Sequence, residues 1–261
     1  MRQEKGKLMQ TIQISVAEAN QEQREDDQLH HLYRQHAFDL TCEEAWNAQA
    51  YLQARTLPLD GAHRVGVGYV APGASQQYGE WMRRWEDRLL FPLLAPDGAW
   101  TGYAGRLIHG WQGCRDAAAH QKFLHGSGLE PWIKIGQAGW FWEPLCLSTT
   151  DPIIIVQGPF DRLAILATGD FQPEEVIALV GSTVQPTWLS KVSAVLFALG
   201  SERDGKDASK RTRQHLAWRH VPVEVCRMTS HGGTWSERWH RYGADGLEAL
   251  YAHHALLAHG L

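Results

Sequence analysis

The chain has no run of 18 apolar residues, so the sequence offers no membrane-spanning helix. Its opening stretch, MRQEKGKLMQTIQISV, carries neither an apolar block of signal-peptide length nor a small-residue cleavage site, and a cytoplasmic location is the expectation. The four cysteines, Cys42, Cys114, Cys146 and Cys226, stand far apart, and none falls in a C-x-x-C pair. This excludes a zinc ribbon or a dithiol redox motif and leaves buried, reduced thiols as the reading. Fourteen histidines include no H-E-x-x-H, and the pairs His30-His31 and His253-His254 sit in polar or helical surroundings, so they read as scattered surface and core residues. A formal charge of −4 excludes a uniformly basic coat for nucleic acid, although a local basic stripe would serve the same purpose.

What is present is the composition of a soluble globular protein, 44% hydrophobic and 21% charged over 261 residues, enough for one large domain or two small ones. Residues 1–37 are rich in Gln, Glu and Asp, including QEQREDDQ at 21–28, and are expected to form an arm or tail. Thr41 followed by Glu44 has the pattern of a capping box, and Cys42, Ala45, Ala48 and Leu52 recur at helical spacing, which predicts a helix to about Arg55. In LPLDGAHRVGVGYVAPG, the residues Gly66, Gly68, Pro72 and Gly73 break any helix, and the Val and Tyr content predicts a short strand. The segment 88–108 has two β-rich runs around Pro96-Asp97-Gly98 and reads as a hairpin.

After about Asp151 the texture changes to strand-then-helix units. The apolar runs PIIIVQG, VIALVG, AVLFALG and VPVEVCRM are separated by helical segments near 160–168, 185–192 and 206–219. Such alternation predicts a parallel sheet with helices on its faces. Ala244–Leu261 reads as a terminal helix. The expected division is an arm over 1–37, a first subdomain over 38–150, an α/β domain over 151–230 and a helical tail over 231–261.

In such a sheet the chemistry gathers where strands end. Those places are Gln157-Gly158-Pro159-Phe160-Asp161, Gly181-Ser182-Thr183, the run from Gly200 to Gly205, and Ser230-His231-Gly232-Gly233. Here the chain resembles the toprim fold, whose first motif is Glu-Gly after strand one with an Asp on the next helix, and whose second is Asp-x-Asp ending strand three. IIIVQGPFDRLAILATG and VLFALGSERDGKDASKR fall at these motifs. In addition, AWNAQAYLQARTLPLDGAHRVGVGYVAPG, WEDRLLFPLLAPDGAWTGYAGRLI and QKFLHGSG look like successive segments of the amino-terminal subdomain of a bacterial, DnaG-like DNA primase core. The resemblance spans roughly 41–250 and implies an α/β fold: an α+β amino-terminal subdomain, then a toprim domain with a parallel sheet flanked by helices.

The departures from the family lie in its metal site. Two-metal nucleotidyl transfer needs carboxylates to hold Mg²⁺ in near-ideal octahedral geometry. The candidate catalytic residues are Gln157, Asp161, Glu202 and Asp204, with Asp161, Glu202 and Asp204 as the candidate metal ligands. Gln157 stands where the family has Glu, and offers an oxygen without charge. Gly200 stands at the first Asp and offers nothing. Glu202 replaces the second Asp and displaces the carboxylate by about 1.5 Å, one C–C bond. The late acidic stretch falls near Gly233–Glu237, where Glu237 alone is charged, and Asp207 is a further acid within reach. Asp204 and Asp207 also suit the amino-terminal end of a helix after Gly205.

The nucleic-acid side is better kept. By resemblance, Arg64, Arg106, Lys122 and Lys134 match basic residues lining the primase template groove, and phosphate contacts tolerate drift because they need only a charge in reach. Lys206, Lys210, Arg211, Arg213 and Arg219 form a second basic run, which also reads as a solvated helix face. Twelve tryptophans are many for this length. Most read as core, while Trp140-Phe141-Trp142 is the cluster to test for base stacking.

These features imply a primase-like protein that binds single-stranded DNA or RNA, with weak or no catalysis, from a mobile element. The implied partner is a helicase, polymerase or other replication protein. One alternative is an active primase with a rearranged Mg or Mn site. Another is a toprim nuclease, which would have no reason to share the GYVAP and FPL…GYAGR segments.

Overall fold

A computed structural model describes residues 19–136, 139–143, 152–181, 186–189, 192–199, 214, 216–217, 220–226 and 233–259. Two four-stranded sheets organise them. The first is antiparallel throughout and runs in sequence order: β1 (Gly68–Val70), β2 (Arg88–Leu94), β3 (Trp100–Leu107) and β4 (Trp132–Gly136). Its central hairpin turns where Pro96-Asp97-Gly98 predicts. The Gly98 N–H returns to the Ala95 carbonyl at 3.0 Å, with Gly98 at a φ of 81° that suits a residue without Cβ.

The second sheet is parallel, in the order β6-β5-β7-β8, and comprises β5 (Ile153–Val156), β6 (Val176–Ala178), β7 (Val195–Ala198) and β8 (Val223–Val225). Every residue of β5, β6 and β7 is buried, as their unbroken apolar runs require. The fold is thus the α/β arrangement expected. Behind β5, helix α6 (Pro159–Leu166) starts with Pro in its first turn and is buried along its whole length. Arg162 ties it to the sheet, donating from Nε to the Val176 carbonyl at 2.8 Å and from Nη2 to that of Pro173 at 2.9 Å.

A single hydrophobic core joins the two sheets: Leu89, Phe91 and Ala104 of the first pack with Ile154, Val156 and Phe160 of the second unit. The segment Trp140-Phe141 stitches the end of β2 to β6, an edge strand of the second sheet. Trp140 exchanges both backbone hydrogen bonds with Leu94, and Phe141 does the same with Ala178, at 2.9–3.1 Å. Trp140, Phe141 and Trp142 are accordingly buried, and Trp142 donates its indole N–H to the Leu94 carbonyl. They are a structural seam, not the base-stacking surface considered for them.

Other expectations need correction. From residue 19 onward the expected arm is a helix, α1 (19–34), packed on the first sheet. Leu29 is fully buried there, worth about 1.5–3 kcal/mol, and His30 stacks on Trp100 with ring centroids 4.2 Å apart. Thr41 does not cap the next helix. Asp39 instead accepts from both the Thr41 N–H and its hydroxyl at 2.8 Å, and a 3₁₀ turn at Glu43–Ala45 leads into α2 (Trp46–Ala54). A short helix, α3 (Leu59–Arg64), follows Pro58, where only a strand was expected; it ends before Gly66. Near 185–192 the described residues form a 3₁₀ turn, Pro186–Leu189. Most of the helix expected near 206–219 lies outside the described residues.

The remaining helices are α4 (Ala74–Tyr78), α5 (Ala117–Gly126), α7 (Trp235–Tyr242) and α8 (Glu248–Ala258), the last two separated by a 3₁₀ stretch, Gly243–Leu247. The predicted terminal helix thus begins later than Ala244, although Leu247 and Leu250 are buried.

Candidate functional site

At the end of β5, Gln157 is half-buried, and its carbonyl accepts from the Val180 N–H at 3.0 Å. One turn on, Asp161 faces α7. It is only 6% exposed, and its Oδ1 accepts from the Ser236 N–H at 2.9 Å. Burial pushes the Asp161 pKa up to about 6, against the pull of the Ser236 hydrogen bond and of the nearby Arg55 charge.

Helix α7 holds this arrangement because it is capped and anchored. Thr234 and Glu237 form a capping box, and Trp235 donates its indole N–H to the Ala198 carbonyl at the end of β7, at 2.7 Å. The same helix reaches across to the end of α2. Arg55 Nη2 donates to the Ser236 hydroxyl at 3.0 Å, and Trp239 donates its indole N–H to the Thr56 carbonyl at 2.8 Å.

Residues suited to a pair of Mg²⁺ ions should present several unengaged carboxylate oxygens around a common point. The described candidates do not. Gln157 is neutral, and Asp161 is enclosed and bonded to the start of α7. Among the described residues no group of three or more His, Cys, Asp or Glu side chains could hold a metal ion. Glu202, Asp204, Asp207 and Gly200 lie outside the described residues, as do Lys206, Lys210, Arg211, Arg213 and Arg219.

The four basic candidates are dispersed. Arg64 is exposed at the end of α3, and Lys122 is exposed on α5. Arg106 and Lys134 share one face of the antiparallel sheet, since Arg106 pairs with Trp132 and Ala104 with Lys134. Lys134 is exposed on edge strand β4, whereas Arg106 is only 4% exposed and lies over the Trp132 ring at 5.5 Å. Burial holds the Arg106 pKa below its usual value, with a Tyr51 contact opposing. This residue therefore supports the surface from beneath rather than meeting a phosphate.

A cleft of about 1020 Å³ opens between the end of α2, the start of α5 and α7. Its floor includes Tyr51, Arg55 and His120, and its rim carries Arg115, Arg238 and Arg241. His120 Nε2 donates to the His109 carbonyl at 2.9 Å, and burial depresses the His120 pKa, so Nδ1 of the neutral ring is an acceptor. Among the described residues, neither this Nδ1 nor the Nε of Arg55 has a hydrogen-bond partner. Asp116 and Glu237 also line the cleft, but each accepts from a backbone N–H at a helix start, Ala119 and Thr234 respectively.

Chains of the same architecture are known. The E. coli primase catalytic core superposes with a TM-score of 0.62 at 16% identity, covering 89% of this chain and 79% of that one. The fold is that of a bacterial DNA primase core. A DnaG primase catalytic domain bound to single-stranded DNA matches with a TM-score of 0.61 at 15% identity, over 91% of this chain and 80% of that one. The RNA polymerase domain of Mycobacterium tuberculosis DnaG gives 0.59 at 16%, over 89% and 83%. No family model matches the sequence, and no curated protein does.

Within this primase fold, sequence reasoning did not single out Arg55, Arg115, His120, Arg238, Arg241 or Tyr242, all of which line this cleft. The signal in WSERWHRY was Arg238 and Arg241 three residues apart on a helix with Tyr242 beside them. In the same segment Glu237 is the one acid, so its charge is mainly basic.

Proposed function

We propose that this chain is a primase-like protein that binds single-stranded nucleic acid and has weak or no nucleotidyl-transfer activity of its own. The observation carrying this reading is the enclosure of Asp161. A carboxyl buried beneath α7, with Oδ1 committed to the Ser236 N–H, has one oxygen left where a magnesium shell needs several carboxylates, and Gln157 beside it brings no charge. Phosphate binding asks less, because a positive side chain within reach of the backbone suffices. Exposed Arg64, Lys122 and Lys134 meet that condition. The solved primase core bound to single-stranded DNA is consistent with a role on such a strand. The protein then works in replication of a mobile element, in the cytoplasm, beside a helicase, polymerase or other replication protein that supplies the missing parts.

The test incubates purified protein with ribonucleotides and a single-stranded template, with Mg²⁺ and separately with Mn²⁺. Shifts of a labelled oligonucleotide without primer synthesis are the expected result. A robust primer ladder abolished by Asp161→Ala would establish an active enzyme that uses the metal, and the proposal would fall.

A further inference from the structure

We infer that the cleft between α2, α5 and α7 is a metal-independent seat for a single-stranded phosphodiester segment, with phosphates on Arg115, Arg238 and Arg241 and a base on Tyr242. This rests on the single-strand reading above and names a second contact surface, distinct from Arg64, Lys122 and Lys134.

Three observations carry it. First, the rim cations are available: Arg115 is 91% exposed and its Nε alone meets Asp116, while Arg241 makes no ion pair among the described residues. The Arg238 Nε is held on the Gly246 carbonyl at 2.7 Å, which fixes its guanidinium in the wall. The lining as a whole carries four arginines, Arg55 with the three on the rim, against Asp116, Glu237 and Asp245, so positive charge predominates. Planar guanidinium forks match phosphate oxygens without a metal bridge.

Second, Tyr242 is 55% exposed on the cleft wall, with the Arg241 guanidinium 5.8 Å from its ring centroid. An exposed aromatic face beside a cation is the element single-strand binders use to stack a base while holding its phosphate. Third, the cleft is large enough for such a segment. The volume of 1020 Å³ is at the top of the range for a drug-sized ligand, about 300–1,000 Å³, and accommodates more than one nucleotide.

The experiment measures anisotropy of a labelled oligothymidylate of twelve nucleotides with full-length protein, in Mg²⁺ and in EDTA, over a range of salt. Arg241 and Tyr242 are exposed, so Arg241→Ala and Tyr242→Ala should fold, and circular dichroism checks this. Equal affinity in Mg²⁺ and EDTA is expected. Tyr242→Ala should weaken binding about 5- to 150-fold, and Arg241→Ala should reduce the slope of log K against log salt by about 0.7.

If the wild type binds no oligonucleotide, both this inference and the proposed function fail. If it binds and is weakened by Lys122→Ala but by neither cleft variant, the cleft assignment alone fails. Loss of binding in EDTA also overturns the metal-independent seat. Displacement of the strand by a free nucleoside triphosphate at equal phosphate concentration would make the cleft a mononucleotide site and overturn the strand assignment.

Discussion

Asp161 and Ser236, 75 residues apart, meet in a buried hydrogen bond that fastens the first turn of α6 to the first turn of α7. The bond unites two requirements: the start of α7 needs an acceptor for its unpaired N–H groups, and a buried carboxyl needs a donor. Asp161→Ala leaves the Ser236 N–H buried without a partner and should destabilise the protein by about 1–3 kcal/mol. Asp161→Asn keeps an acceptor oxygen and should recover much of that. Urea unfolding of the two variants decides; equal loss in both would mean that the negative charge facing Arg55, rather than the hydrogen bond, holds the helices together.

Arg88 is a second buried anchor, and its partners are all backbone carbonyls. It donates to Arg84 at 2.8 Å, Glu130 at 2.9 Å, Gly105 at 3.4 Å and Pro131 at 3.5 Å, joining β2 to the chain that enters β4. Burial pulls its pKa down to about 10, so it remains charged near neutrality. Arg88→Met should cost at least about 2 kcal/mol, since several carbonyls lose their donor together. Arg88→Lys should recover little, because one ammonium cannot span the same fork. A urea midpoint for Arg88→Lys matching the wild type would show that the charge alone suffices.

How far the sequence carried the fold depended on whether each signal was local. The β2–β3 hairpin was legible because Pro96-Asp97-Gly98 makes its turn whatever surrounds it, and β5 to β7 because a strand buried on both faces must be apolar throughout. Helix α1 was not: its composition is that of a solvated tail, and a few residues such as Leu29, His30 and Tyr33 commit it to the sheet, through residues 66–103. In the site, Gln157 and Asp161 were placed at a strand end and the following helix as predicted. That Asp161 would be enclosed depended on α7, whose approach no local pattern encodes. Trp140-Phe141-Trp142 illustrates a third case, since an aromatic run suits a core seam and a stacking surface equally, and only the pairing with Leu94 and Ala178 distinguishes them.

His30 makes the docking of α1 sensitive to pH. Burial, then the Arg34 charge, hold its pKa below the usual 6.5, with Asp27 opposing. The unfolded chain therefore takes up this proton more readily than the folded one, so stability is full above 6.5 and declines as pH falls below it. The ring is tied to the sheet by a 3.0 Å bond between Nδ1 and the Tyr103 hydroxyl, so the added charge falls at the docking contact itself. Hydrogen exchange of the amides in 19–34 should accelerate between pH 7.5 and pH 5.5 relative to that of β5, after correction for intrinsic rates. His30→Gln should flatten that difference; an unchanged pH dependence in the variant would place the sensitivity elsewhere.

Gly136 ends edge strand β4 at a φ of 81°, and a Cβ there would collide with the Thr101 carbonyl oxygen and crowd Gly102 on β3, its pairing partner. Gly136→Ala should therefore cost more than the about 1–2 kcal/mol of the left-handed backbone alone, and the added strain should loosen β4 from β3. Gly128 is the matching control: its φ is 70°, but a Cβ would meet nothing within 4 Å, so Gly128→Ala should show only the backbone contribution. Because β4 carries Lys134, the Gly136 variant should also bind single-stranded oligonucleotides more weakly at a temperature where both variants remain folded. If oligonucleotide affinity is the same in the two variants while amide exchange shows β4 released, then Lys134 does not contribute to the binding surface, and the basic contacts reduce to Arg64, Lys122 and the cleft.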